Sequence, residues 1–198
     1  MNADLPVLQT PRLTLEIAGP EKAELCARFN SENATFLSPW EPHVPSNSDN
    51  VDVLRAIRER AVNDARAGAA FSFALFPSSP TPETPIVGWI NLTNVIHGVF
   101  EACTMGYKLD RRMQGHGYMT EAAQAAIDFA FDALRLHRIM AAYMPHNQRS
   151  AALLRRLGFT IEGVARDYLF IAGDWRDHVL TSLVNPENGT PPVALPRV

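Results

Sequence analysis

The stretch "RRMQGHGYMTEAAQAAIDFAF", which begins at Arg111, constrains this chain more than any other. From Met119 onward apolar residues recur at Ala123, Ala126, Ile127, Ala130, Phe131 and Leu134, the spacing of a helix with one apolar face. Directly ahead of it stand Gly115 and Gly117. Glycine costs about 1 kcal/mol per helical position relative to alanine, so two of them at a helix start need a reason. One reason is a tight turn that requires positive φ. The other is a ligand that must approach the backbone closely. A helix N-terminus carries roughly half a positive charge and several unpaired N–H donors, which suits an anion such as a pyrophosphate.

The flanking segments place that turn. Residues 12–18 ("RLTLEIA") alternate apolar and polar and read as a strand, broken by Gly19-Pro20. "EKAELCARFN" reads as a short helix, and residues 50–67 as a second amphipathic helix ending at Gly68. Between them, "SENATFLSPWEPHVPSNSDN" is rich in proline and serine, yet Phe36, Leu37 and Trp40 make it too apolar for a linker. "AFSFALF", "PIVGWINLTNV" and "EACTMGYKLD" read as strands, the last running into the glycine turn. "HRIMAAYM" is a strand, "NQRSAALLRRLGF" a helix closed by Gly158, and the remainder two strands with a turn near Gly173-Asp174. Residues 186–198 have the composition of a disordered end. The pattern is one α+β domain spanning residues 1–198, with its core at about 10–185.

Bulk numbers narrow the function. At 198 residues and 46% hydrophobic, the chain can bury a sizeable core. A formal net charge of -3 argues against a general nucleic-acid binder, which is usually strongly basic. Cys26 and Cys103 have no ligand-like spacing and read as reduced thiols. The six histidines show no metal-ligand spacing, so no metal is expected. The N-terminus has no signal-peptide pattern and no apolar run approaches a membrane span, which points to a cytoplasmic protein with no membrane partner.

Arg112-x-x-Gly115-x-Gly117, a helix, a strand, then Asn147 and a short helix ending in "LGF" resemble the GNAT family of acyl-CoA-dependent N-acetyltransferases. "HRIMAAYMPHNQRSAALLRRLGF", "DYLFIAGDWRDHVLTSL" and "FLSPWEP" look like its RimJ/RimL branch, which acetylates ribosomal proteins, and the similarity runs from about Thr10 to Asn185. The resemblance implies the GNAT fold, a mixed and mostly antiparallel twisted sheet of about seven strands with helices on both faces. It implies a splay between the fourth and fifth strands that admits acetyl-CoA. Backbone groups of Tyr107, Lys108 and Leu109 are expected to pair with pantetheine. The segment Arg112, Gln114, Gly115, His116, Gly117, Tyr118, Met119 and Thr120 is expected to hold the pyrophosphate, mainly through backbone. Asn147 is expected to contact the cofactor, although an N-cap role accounts for it without any ligand.

Ser150 sits where such proteins carry a serine proposed to protonate the departing thiolate, and a plain capping role competes with that. Two positions depart from other GNAT branches. Leu154 stands where many have a tyrosine, and Thr104 where some have a glutamate. No strong general base is evident. An α-amine, with a pKa near 7.7–8.0 against about 10.4 for lysine, needs less help to lose its proton. That favours a protein N-terminus as the acceptor, and the resemblance implies an alanine of a small-subunit ribosomal protein. Glu101 and Glu41 are candidate bases or amine ligands, and Phe36 and Trp40 candidate walls of the acceptor groove; solvated or core roles compete for each. A small-amine acetyltransferase and a non-catalytic acyl-CoA-binding or ribosome-associated module are the alternative functions.

Overall fold

Strands β1 (Val7–Gln9), β2 (Leu13–Ile17), β3 (Phe71–Pro77) and β4 (Gly88–Ile96) build one half of the molecule as a continuous antiparallel meander. The computed structural model describes residues 4–42 and 49–187. β5 (Ala102–Leu109), β6 (Arg138–Tyr143), β7 (Thr160–Ile171) and β8 (Asp174–Val184) complete an eight-stranded sheet in the order β1-β2-β3-β4-β5-β6-β8-β7. Every neighbouring pair is antiparallel except β5 with β6. The sheet therefore has one strand more than expected. β1 is three residues long, too short to leave a period in the sequence, and it makes the expected fourth and fifth strands β5 and β6.

Helices cover both faces. On one side Phe71, Phe73 and Leu75 of β3 pack in a core with Met119, Ala122, Ala126 and Ile127 of α3 (Tyr118–Asp128) and Leu153 and Leu154 of α4 (Gln148–Arg156). On the other, Ala74 and Phe76 meet Cys26 and Phe29 of α1 (Ala23–Leu37) and Leu54 of α2 (Val51–Arg66). Both cysteines are buried free thiols, with burial raising their pKa and that of Cys103 reaching about 12.

α1 runs through "SENATFL", well beyond the short helix expected. Its buried face is Cys26, Phe29, Asn33 and Leu37, a helical stripe interrupted by one polar residue. Asn33 is 2% exposed and satisfied by Phe29 O and Asp110, so its amide ties the helix to the end of β5 instead of breaking it. The β7–β8 turn falls at Ala172-Gly173, both with positive φ (51° and 82°), the backbone twist that a two-residue hairpin favours. Of the expected tail, residues 188–198 lie outside the described residues, as do residues 43–48 of the proline-rich segment.

Candidate active site

β5 is paired along its length with β4, from Gly88↔Leu109 to Ile96↔Ala102. On its other side it meets β6 only at Ala102↔Arg138, Cys103↔Ile139 and Thr104↔Met140. Past Thr104 the two strands diverge, and β6 continues against β8 alone as far as Tyr143↔Val179. The edge of β5 from Met105 to Leu109 thus offers backbone N–H and C=O groups that no strand among the described residues takes up, the form of edge that an extended ligand can pair with. Tyr107, Lys108 and Leu109 lie on that edge, immediately before the glycine turn.

The turn is held rigidly from below. Asp110, 3% exposed, accepts from the Arg112 backbone N–H (2.7 Å), from Arg112 Nε (3.0 Å) and Nη2 (2.6 Å), and from Asn33 Nδ2 (3.3 Å). These donors, the Arg112 side chain foremost, bring its carboxyl down from an ordinary 3.8 to about 2. Asn33 Oδ1 accepts the Arg111 N–H (3.1 Å), and Arg112 reaches on to Glu32 on α1 (2.5 Å). The Arg112 guanidinium is therefore committed to two carboxylates, which shape the loop.

Above this base Gly115 and Gly117 have φ of +82° and +80°, and Gly117 is the N-cap of α3 with no side chain capping it. A Cβ added at Gly115 would meet nothing within 4 Å, and one at Gly117 only Arg12 Nη2 at 3.5 Å. Internal packing therefore does not require glycine here; the left-handed backbone does, and the bare N–H groups of the first turn lie open beside it. Arg12 buttresses the turn from the β1–β2 corner. Its Nη1 donates to His116 O (2.9 Å), its Nε to Glu121 (2.7 Å), and its guanidinium lies 4.3 Å from the Tyr118 ring centre. Two further guanidiniums lean in from α4: Arg149 donates to Gln114 Oε1 (2.9 Å) and Arg156 to Thr120 Oγ1 (3.1 Å). Both rest on neutral oxygens, with no carboxylate partner among the described residues, so their charge is available to an anion. Met119 is buried in the core beneath, and its contribution to the turn is its backbone.

Across the splay, the Asn147 side chain accepts the Ser150 N–H (3.1 Å) and caps α4. This presents the Ser150 hydroxyl to Tyr107, with 2.6 Å between the two oxygens. Burial pushes the Tyr107 phenol up to about 12, so it stays protonated at neutral pH. The side chain of Tyr107, and not its backbone alone, belongs to the site. Alternation along "MGYKL" puts it on the α3/α4 side, opposite Gly106 and Lys108, and that alternation was the available sequence signal.

The opposite face, toward α1 and α2, carries the candidate acceptor residues. Glu41 pairs with Lys108 (2.7 Å) and its carbonyl accepts the Ala172 N–H at the hairpin tip (3.0 Å). Trp40 lies against the His146 ring, centroids 5.4 Å apart, joining the end of α1 to the loop before Asn147. Phe36 instead packs against the α1/α2 core. Glu101 is not brought to the splay mouth. It is buried in the β4–β5 turn, its oxygens taken by the Gly98 N–H (2.7 Å) and the His97 ring (2.8 Å). The sequence also left Arg12, Asn33 and Glu121 unmarked, because their partners lie far off in the chain. It left Asp110 unmarked as well, whose tie to Asn33 is equally distant.

Comparison with known proteins agrees with this geometry. The family profile described as an acetyltransferase (GNAT) domain matches residues 12–160. The [ribosomal protein uS5]-alanine N-acetyltransferase of Escherichia coli (strain K12) is 44% identical over 181 residues, 91% of each chain. A crystal structure of ribosomal-protein-S5-alanine acetyltransferase from Vibrio fischeri superposes with a TM-score of 0.87 at 33% identity, over 93% of this chain and all of that one. Mycobacterium smegmatis RimJ in complex with CoA-disulfide gives 0.83 at 28% identity, over 94% and 90%. The open edge of β5, the left-handed glycine turn and these matches agree: the chain belongs to the GNAT acetyltransferase family.

Proposed function

We propose that this protein transfers the acetyl group of acetyl-CoA to the N-terminal α-amine of a protein, an alanine of a small-subunit ribosomal protein, by direct attack within a ternary complex. The observation that carries this reading is the unpaired β5 edge leading into the Gly115–Gly117 turn, with the Tyr107–Ser150 hydroxyl pair beside it. The acceptor is argued from the uS5-alanine specificity in the name of the E. coli relative.

In this reading the first-turn N–H groups of α3, with Arg149 and Arg156 nearby, hold the pyrophosphate. The free edge of β5 pairs with pantetheine and its N–H groups stabilise the developing oxyanion. The amine attacks from the α1/α2 face. Ser150 gives a proton to the departing sulfur on the α3/α4 face, while Tyr107 donates to the serine oxygen and fixes its orientation. The neutral amine gives up one proton to solvent water as its C–N bond forms. The C–S bond breaks with the sulfur taking the Ser150 proton, and the serine hydroxyl regains a proton from solvent, so the reaction balances. At pH 7.5 roughly a third of α-amines are already neutral, against about one lysine in a thousand.

The test is acetyl-CoA turnover with a panel of acceptors: an alanine-starting peptide carrying one internal lysine, and small amines including spermidine. Mass spectrometry is expected to place the acetyl group on the α-amine. Modification mainly on the internal lysine at neutral pH, or faster turnover of the small amines, would overturn the reading.

A further inference from the structure

Arg58 on α2 is unusual in this molecule. Its Nε is the one buried side-chain nitrogen or oxygen without a hydrogen-bond partner among the described residues, and no carboxylate there pairs with its charge. The guanidinium lies 4.7 Å from the Trp89 ring centre, and burial lowers its pKa. A half-buried, unpaired cation is costly to maintain, so its one directed contact is informative. Its Nη1 donates to Ser72 Oγ (3.3 Å), and Ser72 in turn donates to Asn91 Oδ1 (2.7 Å).

That chain has a direction. A guanidinium only donates, so the serine oxygen receives and its own proton passes to the asparagine oxygen. A reversed carboxamide would give the serine oxygen two donors and leave its proton unplaced. The Asn91 NH2 group is therefore turned away from Ser72, and it makes no hydrogen bond among the described residues. The register carries it to the reaction site. Asn91 pairs with Gly106, two residues beyond the last β5–β6 pair at Thr104. It shares a face with Trp89, the α1/α2 side from which the acceptor arrives, while Ile90 and Tyr107 point to the other side. Gly106 is exposed there, and a Cβ on it would meet nothing within 4 Å.

We infer that the Asn91 carboxamide, oriented by the Arg58–Ser72 chain, donates a hydrogen bond to the carbonyl of the acceptor's first residue, which lies over Gly106. This rests on the α-amine reading above and adds a recognition rule to it. The ligand class is an α-amine followed by a peptide carbonyl; an amine without that carbonyl leaves the donor unmet.

The experiment uses the full-length enzyme, acetyl-CoA, an alanine-starting hexapeptide, and the same peptide with an alkene isostere in place of its first peptide bond. Asn91→Leu is expected to lower kcat/KM for the parent peptide about tenfold, with acetyl-CoA affinity within twofold by calorimetry. The isostere should lose about as much with the unaltered enzyme, and no more with Asn91→Leu. Ser72→Ala, which frees the carboxamide to rotate, should lose about threefold and guards against a misfolded Asn91 variant. Parent-peptide kinetics unchanged in both variants would overturn the inference alone. So would an isostere that suffers a further full loss with Asn91→Leu. Failure of the unaltered enzyme to acetylate the parent peptide would instead overturn the α-amine reading, and this inference with it.

Discussion

The two sides of the splay are built in opposite ways. The glycine turn is fastened to α1 through Asn33 and Glu32, to β5 through Asp110, to the β1–β2 corner through Arg12, and to α4 through Arg149. Around the mouth of the acceptor face, the described contacts between separate elements are a partly exposed ion pair, a ring contact and a backbone hydrogen bond, Lys108–Glu41, Trp40–His146 and Ala172–Glu41. A ligand part that never varies, such as a pyrophosphate, is best met by preorganised backbone donors. A part that differs between acceptors is met by side chains on loops, which can change without disturbing the scaffold. Perturbing each side should therefore fail in a different kinetic parameter.

The largest effect is expected between the two sides. Ser150→Ala should lower kcat roughly 10- to 100-fold, below the usual range for general acids because a thiolate leaves readily. Acetyl-CoA affinity should move little, since the interaction strengthens only as charge develops on sulfur. Steady-state kinetics with thermal melting decide it: a lower melting temperature with kcat preserved would leave Ser150 as part of the α4 cap only. Tyr107→Phe should show part of the same kcat loss, and little more when combined with Ser150→Ala.

Next is the rigid side. Gly117→Val forces a branched residue into φ near +80° and sets methyl groups beside the first-turn N–H groups. Calorimetric titration should show acetyl-CoA binding weakened at least tenfold, about 1.4 kcal/mol, in a folded protein. Unchanged affinity would dismiss the phosphate cradle. Asp110 tests the fastening beneath. Its pKa is depressed, so its contribution to stability is present above the ordinary value of 3.8 and fades as pH falls through about 2. Asp110→Asn should cost on the order of 2 kcal/mol at neutral pH, about 4–8 °C in Tm, with the gap to the parent closing between pH 4 and 2. A gap that stays constant across that range would assign the loss to packing instead of charge.

The same contrast explains what could be read from the sequence. Gly115 and Gly117 ahead of an apolar helical stripe revealed the turn because its requirements are local: left-handed φ and helix-end donors both leave a mark within a few residues. The strands around it carried their period for the same reason, and β1 did not because three residues hold no period. Asn33, Arg12 and Glu121 were illegible because each acts on a partner more than seventy positions away, as in Asn33 to Asp110 and Arg12 to Glu121. Asp110, although it binds the neighbouring Arg112, gains its role as an anchor only through the distant Asn33. Glu101 shows the converse. A lone glutamate just ahead of β5 looks like a candidate base until its carboxylate is seen closing the β4–β5 turn on Gly98. Chemistry that depends on long-range partners has to be read from the folded molecule.

The smallest effect should come from the loosest contact. Glu41→Gln removes the charge that holds Lys108 while keeping the side chain's shape and the Glu41 carbonyl that the Ala172 N–H uses. A half-exposed pair of this type is worth about 0–1 kcal/mol, so stability should barely move. Lys108 stands on β5 with its side chain on the acceptor face, and freeing it adds a positive charge near the incoming ammonium. Like charges in a partly screened groove repel weakly, so KM for an alanine-starting peptide should rise about two- to threefold. kcat and acetyl-CoA affinity should stay as they are, and the KM rise should fade at high salt. Glu41→Gln and Gly117→Val would then separate cleanly, one in peptide KM alone and the other in acetyl-CoA affinity alone. A salt-insensitive fall in acetyl-CoA affinity with Glu41→Gln would mean that the two sides are mechanically coupled through Lys108, and the division between rigid and adaptable faces would fail.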